Sequence, residues 1–381
     1  MRPLLPGALG AGLVLALLAG VGCEKIIGAD FGGVQAVSCA HVQPPGPPSD
    51  AQGAGGEAEF VFALASADLG DTDNAGVPGY KSIGYDVDGL CTNESQGPSC
   101  QSFAWSGADP TDGFDGRDNA IGRLMYEEKA QFGSAPLSSQ TLSDGIKNGA
   151  IAPLGIVRVR NYDQRSDDDQ VDVDWYTPLT LEEAAGVDGG EQDAGVITPG
   201  WDGGDVWPLQ PESVATDGGP EGAPYPNATS RDPSAYVSNY TVVSHLPSGT
   251  VLRLQNVPFA LDTPILVINL GINPFRVVGG TFSARIRLTE LFKRLPEVTT
   301  QFGIGSICKG DPGYARIKQY FCSYAEIRDD GTVDPSSPCD AVSVAFNFQA
   351  LPVKLGPTVT LPPGTFCPPA TSPASDTCTN P

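Results

Sequence analysis

Ala341-Val342-Ser343-Val344-Ala345-Phe346-Asn347-Phe348-Gln349 is the stretch whose reading decides the fold. Val342, Val344, Phe346 and Phe348 alternate with Ser343, Ala345, Asn347 and Gln349, so one face is apolar and the other small or polar. A period of two is that of a half-buried strand. The same period recurs upstream. Phe60, Phe62 and Leu64 alternate with Glu59, Val61 and Ala63; Val157 and Val159 alternate with Arg158 and Arg160; Val171, Val173 and Trp175 repeat the pattern. Ile265-Leu266-Val267-Ile268 is a continuous apolar run between Pro264 and Gly271, as in a strand covered on both faces. Strands near 240–245, 250–255 and 276–285 complete a meander.

With 47 Gly and 35 Pro spread through 381 residues, turns and irregular loops are favoured over long helices. The expectation is a mainly β fold: a β-sandwich or jelly-roll-like body with a few short helices, long loops and disulfides. Asp118 is placed to cap a helix running to about Phe132, with Ile121, Leu124 and Met125 on one face. Leu288, Leu291, Phe292 and Leu295 have helical spacing that ends at Pro296. Asp311-Pro312 opens another helix, whose Tyr314, Ile317, Phe321 and Tyr324 form a stripe. Such stripes face a core more often than a cofactor.

The first residues read as an export signal, with Arg2 followed by the apolar run Leu4 to Val21. Its end, Leu17-Leu18-Ala19-Gly20-Val21-Gly22-Cys23, resembles the lipobox of bacterial lipoproteins, with Gly20 where that motif usually carries Leu. The resemblance implies acylation of Cys23, and Glu24-Lys25 after it is not the aspartate start associated with inner-membrane retention, which points to the outer membrane. The chain then divides into a signal peptide at 1–22, a lipidated tether at 23–57, a β-rich body at 58–356 and a Pro-rich tail at 357–381. The body carries a Gly/Asp-rich insertion at 180–232, and the tail is stapled by disulfides.

Nine cysteines occur, and assigning Cys23 to lipid leaves eight: Cys39, Cys91, Cys100, Cys308, Cys322, Cys339, Cys367 and Cys378. An even number in an exported chain predicts four disulfides. Cys91 with Cys100 and Cys367 with Cys378 read as local staples across short loops; the other four leave three pairings open. Zinc is disfavoured, because the chain has no Cys-x-x-Cys and only two histidines, His41 and His245.

The formal charge of −23 excludes a basic face for nucleic acid. Removal of residues 1–22 takes away only Arg2, leaving 45 acids against 21 bases. The acidic excess serves solubility or holds divalent cations. Three loops concentrate it: Asp86-Val87-Asp88-Gly89, Asp112 to Asn119, and Asp163 to Asp169. Carboxylates on glycine-bent backbone suit calcium, with Asp86, Asp88, Asp112 and Asp115 as ligands and Asp118 set aside as a helix cap. The competing reading is turn chemistry, in which Asp and Asn side chains bond the local backbone. Asp172 and Asp174 are accounted for by pairing with Arg158 and Arg160 on the adjacent strand.

No nucleophile elbow or phosphate-cradling loop is present in context, and neither histidine stands in a triad pattern. A hydrolase working through carboxylates alone, such as a glycosidase, stays open, since two acids in a groove suffice. Trp201 and Trp207, in the polar insertion, either stack on sugar rings or anchor the insertion to the body. Gly84-Tyr85-Asp86-Val87-Asp88-Gly89, Asp115-Gly116-Arg117-Asp118-Asn119-Ala120 and Pro338-Cys339-Asp340-Ala341, with the lipobox-like start, resemble surface lipoproteins of high-GC soil bacteria. A looser resemblance, in architecture and acidic loops, is to calcium-dependent lectin-type sandwiches. The lipoprotein resemblance implies no activity, and likeness of fold is a poor warrant for one. Taken together, the residues lead to the expectation of a lipid-anchored envelope protein that binds glycan or protein without catalysis, stiffened by calcium; the alternative is the secreted carboxylate hydrolase.

Overall fold

The computed structural model describes residues 39–49, 56–92, 96–103, 105, 110–132, 138–183, 196–216, 225–271, 277–301, 305, 307–362, 364 and 366–379. Cys39–Pro381 forms one compact unit. Cys23, the expected signal segment and most of the expected tether lie outside the described residues.

Nine strands build one antiparallel sheet: β1 (Ala58–Leu64), β2 (Ile156–Tyr162), β3 (Asp168–Tyr176), β4 (Ser230–Ser238), β5 (Thr241–His245), β6 (Asp262–Asn269), β7 (Gly279–Arg287), β8 (Ala341–Phe348) and β9 (Ala350–Pro352). Their order is β8-β7-β6-β5-β4-β3-β2-β1-β9, a meander in sequence order. The two edges of the sheet, β8 and β9, are one run of chain separated by Gln349 alone. Along that run Phe346 pairs with Phe282 of β7, while Pro352 pairs with Phe62 of β1. Asn347 is bonded on both sides, opposite Thr281 and also opposite Asp68. The sheet therefore closes on itself as an up-and-down barrel of eight strand positions. The body is mainly β, as expected, but its strands form one closed sheet where a sandwich would divide them between two.

The alternation read at 341–349 points Val342, Val344, Phe346 and Phe348 into the main core, which also takes Phe62, Leu64, Val157, Val159, Val173, Leu266 and Ile268. Trp175 of β3 meets Phe282 of β7 at 5.4 Å between ring centroids, and Phe282 stacks on Phe346 at 5.1 Å. β3 and β7 are separated by three intervening strands, so this contact crosses the barrel interior. An eight-stranded barrel is just wide enough for side chains to fill it. Gly155 is fixed by this packing, since a Cβ there would lie 2.2 Å from the Trp175 indole.

Helices attach to the barrel, among them α1 (Ala120–Phe132), α2 (Ser139–Asn148), α3 (Leu288–Gln301) and α4 (Tyr314–Ser323). The cap of α1 is Asn119, whose Oδ1 accepts from Gly122 N at 3.0 Å, and not Asp118. α3 runs through Pro296 where the sequence predicts a stop. The Arg294–Glu297 ion pair, at 3.0 Å, spans the proline, Arg294 also pairs with Glu290 one turn earlier at 3.0 Å, and Leu295 is buried beside Pro296. α2 is a helix the periodicity does not reveal, because only Leu142 and Ile146 face inward; Ser138 caps it by accepting from Thr141 N at 3.1 Å. α4 begins at Tyr314, after Gly313, with Asp311 bonding Cys308 N instead.

The disulfides are Cys39–Cys91, Cys100–Cys339, Cys308–Cys367 and Cys322–Cys378. Both expected local staples are thus incorrect. The loop after Cys91 is fastened to the start of the chain at one end and to Cys339 at the other, and the tail cysteines reach the α3–α4 region instead of each other. Residues of the expected tether also belong to the body, since Val42 N donates to Asp115 O and Asp86 N to Val42 O, each at 2.9 Å. A short strand straddles the boundary between body and tail: Lys354–Thr358 runs parallel to Val206–Leu209.

Truncating Phe346 to Ala removes the centre of the interior aromatic stack and is expected to cost about 3–5 kcal/mol of unfolding free energy. Val333→Ala, at a half-exposed valine, is expected to stay within about 0.5 kcal/mol of the parent. Urea unfolding of the two variants measures the difference.

Candidate cation site

The small residues opposite the apolar face of β8 acquire their meaning here. Ser283 of β7 and Ser343 and Ala345 of β8 point outward and leave room for the segments 84–91 and 112–119 to lie flat on the barrel wall. Tyr85 N donates to Ser283 Oγ at 3.1 Å, Ala120 N to Ser343 Oγ at 2.7 Å, and Ala345 N to Asn119 Oδ1 at 3.1 Å. Gly84, at φ +110°, comes so near Ala345 that an added Cβ would stand 2.8 Å from the alanine methyl.

Tyr85 and Val87 pack against Val243, Ile265 and Val267 on the outer wall. Asp86 and Asp88, alternating with them, join Asp118: one carboxylate oxygen from each lies within 4.8 Å of the others. Part of this acidity is satisfied by backbone. Asp86 Oδ1 accepts from Gly89 N at 2.6 Å, Asp88 Oδ1 from Leu90 N at 2.9 Å, and Asp118 Oδ2 from Val87 N at 2.6 Å. Asp86 Oδ2 meets His41 Nδ1 at 2.7 Å. Asp88 Oδ2 and Asp118 Oδ1 are buried and have no hydrogen-bond partner.

Two further acids stand close enough to act on this group. Burial, with the charge of Glu326 next in weight, pushes the Asp112 carboxyl up to about 9. Burial also raises Glu326 to about 7, against the lowering bond from Ser343 and the attraction of Arg123. Asp118 is raised well above the ordinary range by complete burial, followed by the charges of Asp88, Asp112 and Glu326. Asp86 is raised by burial in spite of its His41 bond.

Of the four ligands expected from the sequence, Asp86 and Asp88 come together. Asp112 lies in their electrostatic field, with its Oδ2 occupied by Thr92 N at 2.6 Å. Asp115 does not join them; it sits at φ +57° with a half-exposed side chain 3.6 Å from Arg117. Asp118 replaces it, freed because Asn119 takes the helix cap. Glu326, a single acid in Tyr324-Ala325-Glu326-Ile327, carries no loop signature and is recognisable only through Ser343. The third acidic loop is turn chemistry, with Asp168 accepting from Asp163 N and Gln170 N. Cys39, His41 and Cys91 also converge. The two sulfurs are spent on each other in a disulfide, so no thiolate is left to bind a metal.

Of the two tryptophans expected to stack or to anchor, Trp207 is closed to a ligand and Trp201 is half-buried. Trp207 is wholly buried with Leu209 against Ala63, Ile156 and Tyr176, and Trp201 lies 5.5 Å from its ring and donates from Nε1 to Lys147 O. They anchor the insertion. Arg158 and Arg160 pair with Asp174 and Asp172 as the strand register places them, with Arg158 Nη2 2.8 Å from Asp174 Oδ2. Compared with models of protein families, with curated proteins and with solved structures, the chain matches none.

A carboxyl whose folded pKa exceeds its unfolded value holds its proton more tightly in the folded chain. Such a group costs no stability below its unfolded pKa of about 4 and progressively more as pH rises to the folded value. With divalent cations removed, the urea midpoint is expected to fall between pH 5 and about 9, the upper limit being that of Asp112. Glu326→Gln is expected to flatten the part of that slope below about pH 7. A midpoint that rises over this interval would contradict the assignment.

Proposed function

We propose that this chain is an exported, lipid-anchored protein of the cell envelope, attached through Cys23, whose β body binds glycan or protein without catalysis and is stiffened by calcium. The observation that supports export is the set of four disulfides tying segments far apart in sequence, one of them 239 residues apart. Such crosslinks persist in oxidising compartments and are rare where thiols are kept reduced. Among the described residues no helix is long and apolar enough to cross a membrane; the lipobox-like end of the apolar run at Leu17 to Cys23 is what supports attachment through an acyl group. The composition that sets nucleic acid aside, −23 with acids in twofold excess, suits a partner other than a polyanion.

The hydrolase alternative would draw on Asp112 and Glu326, two acids whose pKa is raised by burial. Both are more than nine-tenths buried, which favours a structural role over contact with a sugar.

The anchor is testable in a bacterium that processes lipoproteins, by feeding an alkyne-tagged fatty acid to cells expressing the full chain. The label is expected on the parent and absent from Cys23→Ser, with the variant passing from the membrane to the soluble fraction. An unlabelled parent chain would sink the proposal.

A further inference from the structure

We infer that Asp86, Asp88 and Asp118 bind one hard divalent cation, calcium, on the outer wall of the barrel beneath the crossing of residues 41–43. This assigns the ligands for the calcium part of the function proposed above and rests on it. Calcium takes oxygen ligands at about 2.3–2.6 Å, so oxygens sharing one ion lie at most about 5 Å apart. The three carboxylate oxygens, all within 4.8 Å of one another, meet that limit.

The independent pointer is Asp118. Its side chain is completely buried, and Oδ1 has no hydrogen-bond partner while Oδ2 is held by Val87 N. Asp88 repeats the arrangement, with Oδ1 bonded to Leu90 N and Oδ2 buried and unpartnered. Each carboxylate is therefore fixed through one oxygen and directs the other to no protein donor. A cation bound among these acids would supply a partner for such oxygens and offset the mutual repulsion of the carboxylates.

The donor set favours calcium over its competitors. All three donors are carboxylate oxygens, the preference of hard cations, whereas zinc favours sulfur and imidazole. The site spans two loops, 84–91 and 112–119, supported from one side by a barrel wall. Calcium accepts six to eight oxygens in irregular geometry, while magnesium demands a near-ideal octahedron. The crossing strand adds an anchor, with Gln43 Nε2 donating to Asp86 O at 2.8 Å and His41 on Asp86 Oδ2.

The test is calorimetric titration of the full chain, stripped of metals by chelator, with calcium chloride and separately with magnesium chloride, alongside thermal melts. One calcium per chain is expected, with a raised melting temperature and weaker magnesium binding. Asp118→Asn and Asp88→Asn are each expected to weaken calcium binding at least tenfold, while Asp115→Asn, outside the cluster, leaves it unchanged. Asp88 is partly exposed, so its variant keeps the test decisive if Asp118→Asn does not fold. Calcium binding that survives both substitutions would overturn these ligands and leave calcium stabilisation standing elsewhere in the chain. Absence of calcium binding by the parent would overturn both, and tighter binding of magnesium would overturn the choice of ion.

Discussion

The structure depends on the continuity of residues 341–352 across the seam of the sheet. One run of chain pairs with β7 on one side and with β1 on the other, so the meander has no free edge in that direction. An open edge of this length would present unpaired N–H and C=O groups to other chains; closure removes them. The closure also makes an interior. Phe346 and Phe282 are direct cross-strand partners, and Trp175 reaches Phe282 because β3 and β7, on opposite sides of the ring, are brought within side-chain reach.

From a closed ring, the remaining elements follow as coverings of its outer wall. Ala63, Ile156 and Tyr176 point outward and are covered by Trp207 and Leu209 of the Gly/Asp-rich insertion. Val243, Ile265 and Val267 point outward and are covered by Tyr85 and Val87. The run Ile265–Ile268 thus has apolar residues on both faces for the reason its composition suggests: the interior lies on one side and a loop on the other. Disulfides then hold these coverings where their own hydrophobic area is small, Cys39–Cys91 and Cys100–Cys339 bracketing the acidic loops.

Strand alternation was legible because the barrel separates inside from outside at a period of two, and the pairing of Arg158 and Arg160 with Asp174 and Asp172 was legible because adjacent strands share a register. Closure was not, since it joins Asn347 to Asp68 and no local pattern encodes that contact. Cysteine pairing fails for the same reason: Cys91 and Cys100 are near in sequence, yet the loop between them opens toward two different parts of the fold. At Asp118-Asn119 the obstacle was chemical. Both residues cap helices well, and only the observed bond from Gly122 to Asn119 decides which one does and which is left for the acidic cluster. Trp207 was obscured by its polar neighbours, although Trp207 and Leu209 alternate in the short strand that buries them.

The barrel wall carries two buried polar patches, and they solve the cost of burying charge differently. Across β2, β3 and β4, Asp172 and Asp174 are met by Arg158, Arg160 and Arg231, with additional guanidinium bonds to the carbonyls of Tyr225 and Pro226. Buried charges are tolerated when paired with opposite charge, and this patch supplies the counter-charges from its own chain, although Asp174 Oδ1, Arg160 Nη2 and Arg231 Nε make ion-pair contacts without a hydrogen bond. Over β7 and β8 the balance is reversed: Asp86, Asp88, Asp112, Asp118 and Glu326 gather with His41 at one margin and Arg123 acting on Glu326 at the other. Carboxylates so placed reach electrical balance by holding protons or by sharing a cation. The raised pKa values are the first of these solutions expressed in the chain alone. A barrel wall that neutralises one patch internally and leaves the other acidic has put its only large unbalanced buried charge, among the described residues, under the segment through which the N-terminal part of the chain joins the body.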